Sequence, residues 1–235
     1  MVFIRIALPN TIKTLKIKSL IFISALLATL IMIGAQALHY NKHKFTILYR
    51  TIIYILEDFQ TGKTQNNLLL GSSSIERLNS ATHLNCGPWT NRGIGGSVIG
   101  DINRYIRFSP SMNKPSMILL YTGENDLANG MKEETVINNY INLLHNIRIK
   151  YPESTIHVLS IKPSPVRAEH FSSFIQTNNE INALSMKNDN IFFYLNNINS
   201  ASDINGNYHF LSDRIHLTSH GYKEFTREFN LACKI

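Results

Sequence analysis

Asn67-Leu68-Leu69-Leu70-Gly71-Ser72-Ser73-Ser74-Ile75 passes from a continuous apolar run into a glycine and three serines. A short run of this kind reads as a strand buried on both faces, as in a parallel sheet, and the small polar residues after it mark an abrupt turn into a helix. Downstream the pattern repeats. Candidate strands follow near Thr90 to Arg92, Met117 to Tyr121, Thr155 to Leu159 and Ile191 to Leu195. Between them, Val98 to Phe108 and Glu134 to Ile149 carry helical spacing, the latter with Val136, Ile137, Tyr140, Ile141, Leu144 and Ile147 on one face. Arg167 to Met186 is a further helix, and Ser219 to Leu231 closes the chain with Tyr222, Phe225 and Phe229 at steps of three and four. Strands alternating with helices predict an α/β domain, a three-layer α/β/α sandwich around a central parallel sheet.

The chain has 235 residues, 44% of them apolar and 17% charged, which suits one packed domain and excludes a disordered chain or a disulfide-stapled miniprotein. Its formal charge of +7 is unevenly placed. Arg5, Lys13, Lys16, Lys18, Lys42, Lys44 and Arg50 all precede the first acid, Glu57, and the remaining 16 basic side chains balance 16 acidic ones. A nucleic-acid binder keeps its basic excess on the folded binding face, where it displaces counterions, so no nucleic-acid partner is expected. Leu20 to Leu38 is uncharged, and as a helix it would be roughly 28 Å long, close to the thickness of a bilayer core. This N-terminal apolar helix reads as an uncleaved transmembrane anchor or as a signal peptide ending at Ala35-Gln36-Ala37, ahead of a third reading, a buried core helix, which would usually carry a polar stripe that this run lacks.

Either membrane reading exports the chain beyond Leu38, to the periplasm or another extracytoplasmic compartment. Residues 1–19 are then a basic N-terminal segment, 20–38 the anchor or signal helix, 39–64 a membrane-proximal stem or linker, and 65–235 the folded domain. Within the stem, Phe45 to Phe59 is apolar and aromatic, suited to lie near the membrane or to pack on the domain. Cys86 and Cys233 suit one disulfide in an oxidising compartment, or two buried thiols.

Ligands of open parallel sheets sit beyond the carboxyl ends of the strands. The segments there are Gly71-Ser72-Ser73-Ser74, Gly93-Ile94-Gly95-Gly96 and Gly123-Glu124-Asn125-Asp126, with Asp213-Arg214-Ile215-His216 as a fourth before the closing helix. A serine at a strand-to-helix turn is placed as a nucleophile, or it caps the helix beginning near Ile75. A nucleophilic serine needs a base, and the base an orienter. Asp213 and His216, three residues apart, can supply both, with the carboxylate on one ring nitrogen and the serine at the other. Alone, that pair would read as a surface loop or half a metal site. His209 and His220 lie nearby, but no Cys/His cluster completes a coordination shell, so neither metal nor cofactor is expected. Gly95-Gly96 permits close backbone approach to a substrate, and Asn125 offers a neutral N–H₂ donor, two parts of an oxyanion hole. Two nucleotide readings fail on spacing: Gly62-Lys63-Thr64 has Glu57 where a phosphate-binding loop needs glycine, and Gly93-Ile94-Gly95-Gly96 is followed by Val98 where a dinucleotide fingerprint has glycine.

The four segments, in this order and at these strand ends, resemble the characteristic blocks of the SGNH/GDSL hydrolase family over roughly Asn66 to Leu231. The matching pieces are Gly71-Ser72-Ser73-Ser74-Ile75, Asn91-Arg92-Gly93-Ile94-Gly95-Gly96, Gly123-Glu124-Asn125-Asp126, and Asp213-Arg214-Ile215-His216-Leu217 with Gly221-Tyr222. The family's first block usually reads Gly-Asp-Ser, and here Ser72 stands where the aspartate would be. The resemblance implies a flavodoxin-like sandwich, Ser73 as nucleophile, His216 as general base and Asp213 as its orienter. It also implies an oxyanion hole made by the amides of Ser73 and Gly96 and the side chain of Asn125.

By that resemblance the expected activity is ester hydrolysis through an acyl-enzyme, and export points to an O-acetylated polysaccharide or peptidoglycan of the cell envelope as substrate. An acyltransferase using the same serine, a lysophospholipase or thioesterase acting on lipids, and a non-catalytic glycan-binding protein are the alternatives from other classes.

Overall fold

A computed structural model describes residues 42–61, 66–110, 114–199 and 208–233, together with residues 24, 28, 29, 31 and 32. The chain divides into two compact units, Met1–Thr46 and Ile47–Ile235. In the first, the described residues are helical and exposed. The basic segment 1–19 and most of the apolar run Leu20 to Leu38 lie outside the described residues. Among the described residues no helix is long and apolar enough to cross a membrane.

The second unit is built on five strands, β1 (Asn67–Gly71), β2 (Trp89–Gly93), β3 (Met117–Tyr121), β4 (Thr155–Leu159) and β5 (Ile191–Tyr194). All neighbours pair parallel, in the order β2-β1-β3-β4-β5. The first strand is thus internal. The chain steps outward to β2, then crosses back to β3 on the other side, so β1 and β3 form the switch point at which such sheets open a crevice beyond their carboxyl ends.

Alternation along the strands divides the core between two faces. Leu68, Leu70, Ile118, Leu120, Ile156 and Val158 face one way, against α4 (Ile99–Phe108), α6 (Glu133–Lys150) and α7 (Phe171–Ser185). Leu69, Leu119, Tyr121 and Leu159 face the other, against Ile75 of α2 (Ser73–Glu76), then Leu84 beyond α3 (Ser80–His83), and the closing helices α8 (Ser219–Phe225) and α9 (Arg227–Ala232). A short α5 (Glu124–Ala128) follows β3. This is the three-layer sandwich the sequence predicts, with differences at two helices. The helix expected from Arg167 opens instead as a 3-10 turn, Pro165–His170, before α7. The closing helix breaks at Thr226, whose hydroxyl lies 2.9 Å from the carbonyls of both His83 and Tyr222, with one proton to share between them. Cys86 and Cys233 are joined as a disulfide, tying the segment before β2 to the end of α9.

Residues 47–61, assigned by the sequence to the stem, are a helix of this unit, here α1. The cause is a charge cluster that hydropathy does not show. Asp58, 2% exposed, accepts from Arg92 Nη2 at 2.7 Å and Nε at 3.1 Å, and from the Tyr105 hydroxyl at 2.5 Å. Glu57 adds a second carboxylate 3.2 Å from Arg92, and Tyr54 donates from its hydroxyl to the Gly93 carbonyl at 3.0 Å. Removing one partner of a buried pair costs about 3–5 kcal/mol, so α1 is bound firmly to the end of β2 and to α4.

His157 on β4 is buried among aromatic rings, stacked on Phe192 and Tyr194 and edge-on to Phe229. Its ring nitrogens meet Thr155 Oγ1 at 2.9 Å and the Tyr194 hydroxyl at 3.0 Å. Burial pushes its pKa down to about 4. The unfolded chain therefore takes up a proton below about pH 6.5 that the native state refuses until about pH 4, and stability falls as pH falls through that window. Between pH 7 and pH 5 this histidine alone costs on the order of 2 kcal/mol. Denaturant melts at the two pH values should show that loss, and His157→Phe should make it smaller; an unchanged pH dependence in the variant would refute the assignment.

Candidate active site

The site begins where β1 stops. At Gly71, φ is +153°, and a Cβ there would lie 2.0 Å from the Tyr121 carbonyl oxygen, so only glycine lets the chain pass β3 this closely. The Ser72 amide donates to that same carbonyl at 3.1 Å, and α2 starts at once. Of the three serines, Ser72 and Ser74 are buried and Ser73, the first helical residue, is partly open. The family resemblance singles out Ser73 among the three, and burial sets it apart from the other two as well.

The loop after β2 packs onto this turn. A Cβ on Gly93 would come within 2.1 Å of the Glu76 amide nitrogen, and the Ile94 amide donates to the Gly71 carbonyl at 2.8 Å. Gly96 takes the left-handed conformation, φ +73°. Among the described residues, neither the Ser73 nor the Gly96 amide donates to a main-chain carbonyl of a turn or loop.

The candidate base, His216, arrives from the far end of the chain. Phe210 and Leu217 form an antiparallel bridge, closed by the Leu211 amide on the His216 carbonyl at 2.7 Å, and the intervening loop turns through Arg214 at φ +57°. Asp213 Oδ1 accepts from the amides of Ile215 and His216 at 3.0 and 2.9 Å, while Oδ2 lies 2.7 Å from His216 Nδ1. His216 Nε2 lies 3.2 Å from Ser73 Oγ. Burial on its own would raise the Asp213 carboxyl, but the His216 amide and ring and the Ile215 amide outweigh it and hold that carboxyl well below the usual range. An ionised Asp213 can only accept, so Nδ1 carries the proton and Nε2 is left to accept from the serine hydroxyl. His209 and His220 stack on each other, ring centroids 5.3 Å apart.

Asn125, the second residue of α5, follows Gly123 at φ +98°. Its Nδ2 donates to the Ser97 carbonyl at 2.9 Å, which ties the strand-end loops of β2 and β3 together. Asp126 does so too, accepting from the Ile99 amide at 3.1 and 3.2 Å at the start of α4; burial raises its pKa to about 6 although that amide pulls it down.

Sequence reasoning missed the layer beneath. Glu124, 3% exposed, accepts from the Tyr121 hydroxyl at 2.5 Å, from Lys162 at 2.6 Å and from Ser164 at 2.6 Å, and its Oε1 is 2.9 Å from Arg167 Nη1. Burial pushes the Glu124 pKa up, and Lys162 and Arg167 outweigh it, so the carboxyl stays ionised below its ordinary range. The available signal was Lys162 itself: a lysine between Ile161 and Pro163, just past an apolar strand, stands where the crevice opens.

A family model described as GDSL-like Lipase/Acylhydrolase matches residues 56–229. Among solved structures, a Streptococcus pneumonia protein provisionally described as a platelet activating factor superposes with a TM-score of 0.73 at 19% identity, over 85% of this chain and 98% of that one. A GDSL-like lipase from Bacteroides thetaiotaomicron gives 0.58 at 16% identity over 78% and 98%, and a carbohydrate esterase family 3 protein from Talaromyces cellulolyticus gives 0.52 at 17% over 73% and 95%. At these identities the likeness is one of fold. Comparison with curated protein sequences finds no match.

Of the three serines, Ser73 is the one whose hydroxyl meets His216 Nε2 among the described residues, so it is the hydroxyl expected to react. A fluorophosphonate probe should attach to the peptide at Ser73, and Asp213→Asn, which removes the charge that fixes the His216 tautomer, should slow attachment on the order of a hundredfold or more. Equal labelling rates in the two proteins, read by intact mass, would contradict this.

Proposed function

We propose that this chain, which belongs to the GDSL-like lipase/acylhydrolase family, removes short acyl groups, acetyl first among them, from carbohydrate esters of the cell envelope. It is an ester hydrolase of the SGNH type. In the proposed reaction Ser73 Oγ attacks the ester carbonyl carbon while its proton passes to His216 Nε2. The oxyanion forms against the amides of Ser73 and Gly96 and the Asn125 side chain. Collapse of the tetrahedral adduct expels the alcohol, which takes the proton from His216. Water, deprotonated by the same nitrogen, then attacks the acyl-serine and frees the acid. The observation that carries this reading is the run Asp213 to His216 to Ser73 at 2.7 and 3.2 Å.

The envelope setting rests on the apolar run Leu20 to Leu38, on the Cys86–Cys233 disulfide, and on an exposed apolar side of α1 formed by Leu48, Ile52, Leu56 and Phe59. The fold shared with the Talaromyces cellulolyticus carbohydrate esterase supports a sugar ester as substrate. One observation favours a second reading, a longer acyl chain: a cavity of about 480 Å³ beside the histidine loop is lined by Pro165, Tyr208, Phe210 and Leu211.

A chain-length series of aryl and sugar esters should be hydrolysed fastest at acetyl, with transfer to an added saccharide hydroxyl minor, and Ser73→Ala and His216→Ala should each lose activity by at least about a thousandfold. A maximum at long chains would move the reading to lipid esters. Ser73→Ala at wild-type rate would end it.

A further inference from the structure

Asn125 is held at both ends. Nδ2 gives one proton to the Ser97 carbonyl at 2.9 Å, and Oδ1 accepts from Arg167 Nη2 at 2.9 Å. The other nitrogen of the same guanidinium, Nη1, sits 2.9 Å from Glu124 Oε1. Glu124 is in turn fixed by Tyr121, Lys162 and Ser164, three donors from β3 and from the segment after β4. Arg167 belongs to that same segment: its amide donates to the Ser164 carbonyl at 2.8 Å, and the 3-10 turn kinks at Arg167 itself, with φ −117° and ψ 28°.

We infer that Arg167 is a positioning residue, which orients and polarises the Asn125 amide so that its remaining N–H points at the developing oxyanion. This deepens the esterase reading and rests on it. A terminal amide is a broad, nearly two-fold rotor, and flipped it would present oxygen to a negative charge. The Ser97 carbonyl disfavours the flip. Arg167 fixes the tilt as well, and a charged donor on Oδ1 draws electron density from the nitrogen, strengthening the free N–H as a donor. A lysine cannot do this: it is a point charge, whereas the guanidinium reaches a carboxylate and an amide oxygen at once through a planar fork.

The test is a double-mutant cycle of Arg167 and Asn125, read as kcat and KM on an acetyl ester and as the rate of phosphonylation by a fluorophosphonate, which needs the oxyanion hole but no particular ester. Arg167→Ala should lower both rates by about ten- to a hundredfold with KM within about threefold. In an Asn125→Ala background the same change should cost less than about threefold, because its effect passes through the missing amide. Arg167→Lys keeps a cation beside Glu124, so it should retain the wild-type melting temperature while losing rate as Arg167→Ala does; it carries the test if the alanine variant does not fold. A full loss repeated in the Asn125→Ala background, or wild-type rates in both Arg167 variants, would overturn the inference. If wild type is active and Ser73→Ala is not, such a failure concerns Arg167 alone; if Ser73→Ala is also active, it is the esterase reading that fails.

Discussion

The close passage of Gly71 against the Tyr121 carbonyl is the constraint on which the site depends. It exists because β1 and β3 are neighbours in a parallel sheet whose chain leaves β1 for the opposite edge. A side chain at Gly71 would not fit there: the Tyr121 oxygen lies 2.0 Å from where its Cβ would sit. With the turn fixed, Ser73 begins α2 at the crevice, Gly93 abuts α2, and the loop carrying Gly96 is tied to Gly71 by the Ile94 amide. The segment after β3 is tied to the one after β2 by Asn125 on Ser97 and by Asp126 on Ile99. Precision in the acceptor and donors thus comes from main-chain packing at strand ends, which flexes little, with side chains added to it.

Buried charge supplies the rest, in two clusters with different purposes. Asp58 with Arg92 and Tyr105 joins α1 to the sheet and so supports the loop at Gly93 from below. Glu124 with Lys162 and Arg167 lies under the Asn125 loop, two formally basic side chains against one acidic one. Such clusters are seldom the cheapest way to fill a core, since desolvating the ions offsets much of their attraction. Their gain is geometry: each carboxylate oxygen admits donors from only a few directions.

Much of this was legible in the sequence. Continuous apolar runs at Leu68–Leu70 and Met117–Tyr121 followed by small polar residues located the sheet and its carboxyl edge, and the spacing of Asp213 and His216 reflects a loop tight enough to orient one on the other. What was not legible depends on partners far apart in the chain. Asp58 at the end of an apolar segment reads as a solvated helix terminus until Arg92 and Tyr105 fold against it. Glu124 and Lys162, 38 residues apart, look like unrelated charges, and only the pairing of β3 with β4 brings them together. The choice among Ser72, Ser73 and Ser74 could be taken from a family pattern but not from local physics, since it turns on which one the helix and the β3 carbonyl leave uncovered.

The central claim is that one serine, Ser73, carries the acyl group between the two halves of the reaction. Rapid quench of the protein during turnover of an acetyl ester, followed by peptide mass mapping, tests it directly. The account predicts an acetyl adduct on the Ser73 hydroxyl that forms within one turnover and decays with it, and no such adduct in Ser73→Ala. An adduct on Ser72 or Ser74, or full turnover with no acylated peptide at any time, would contradict it.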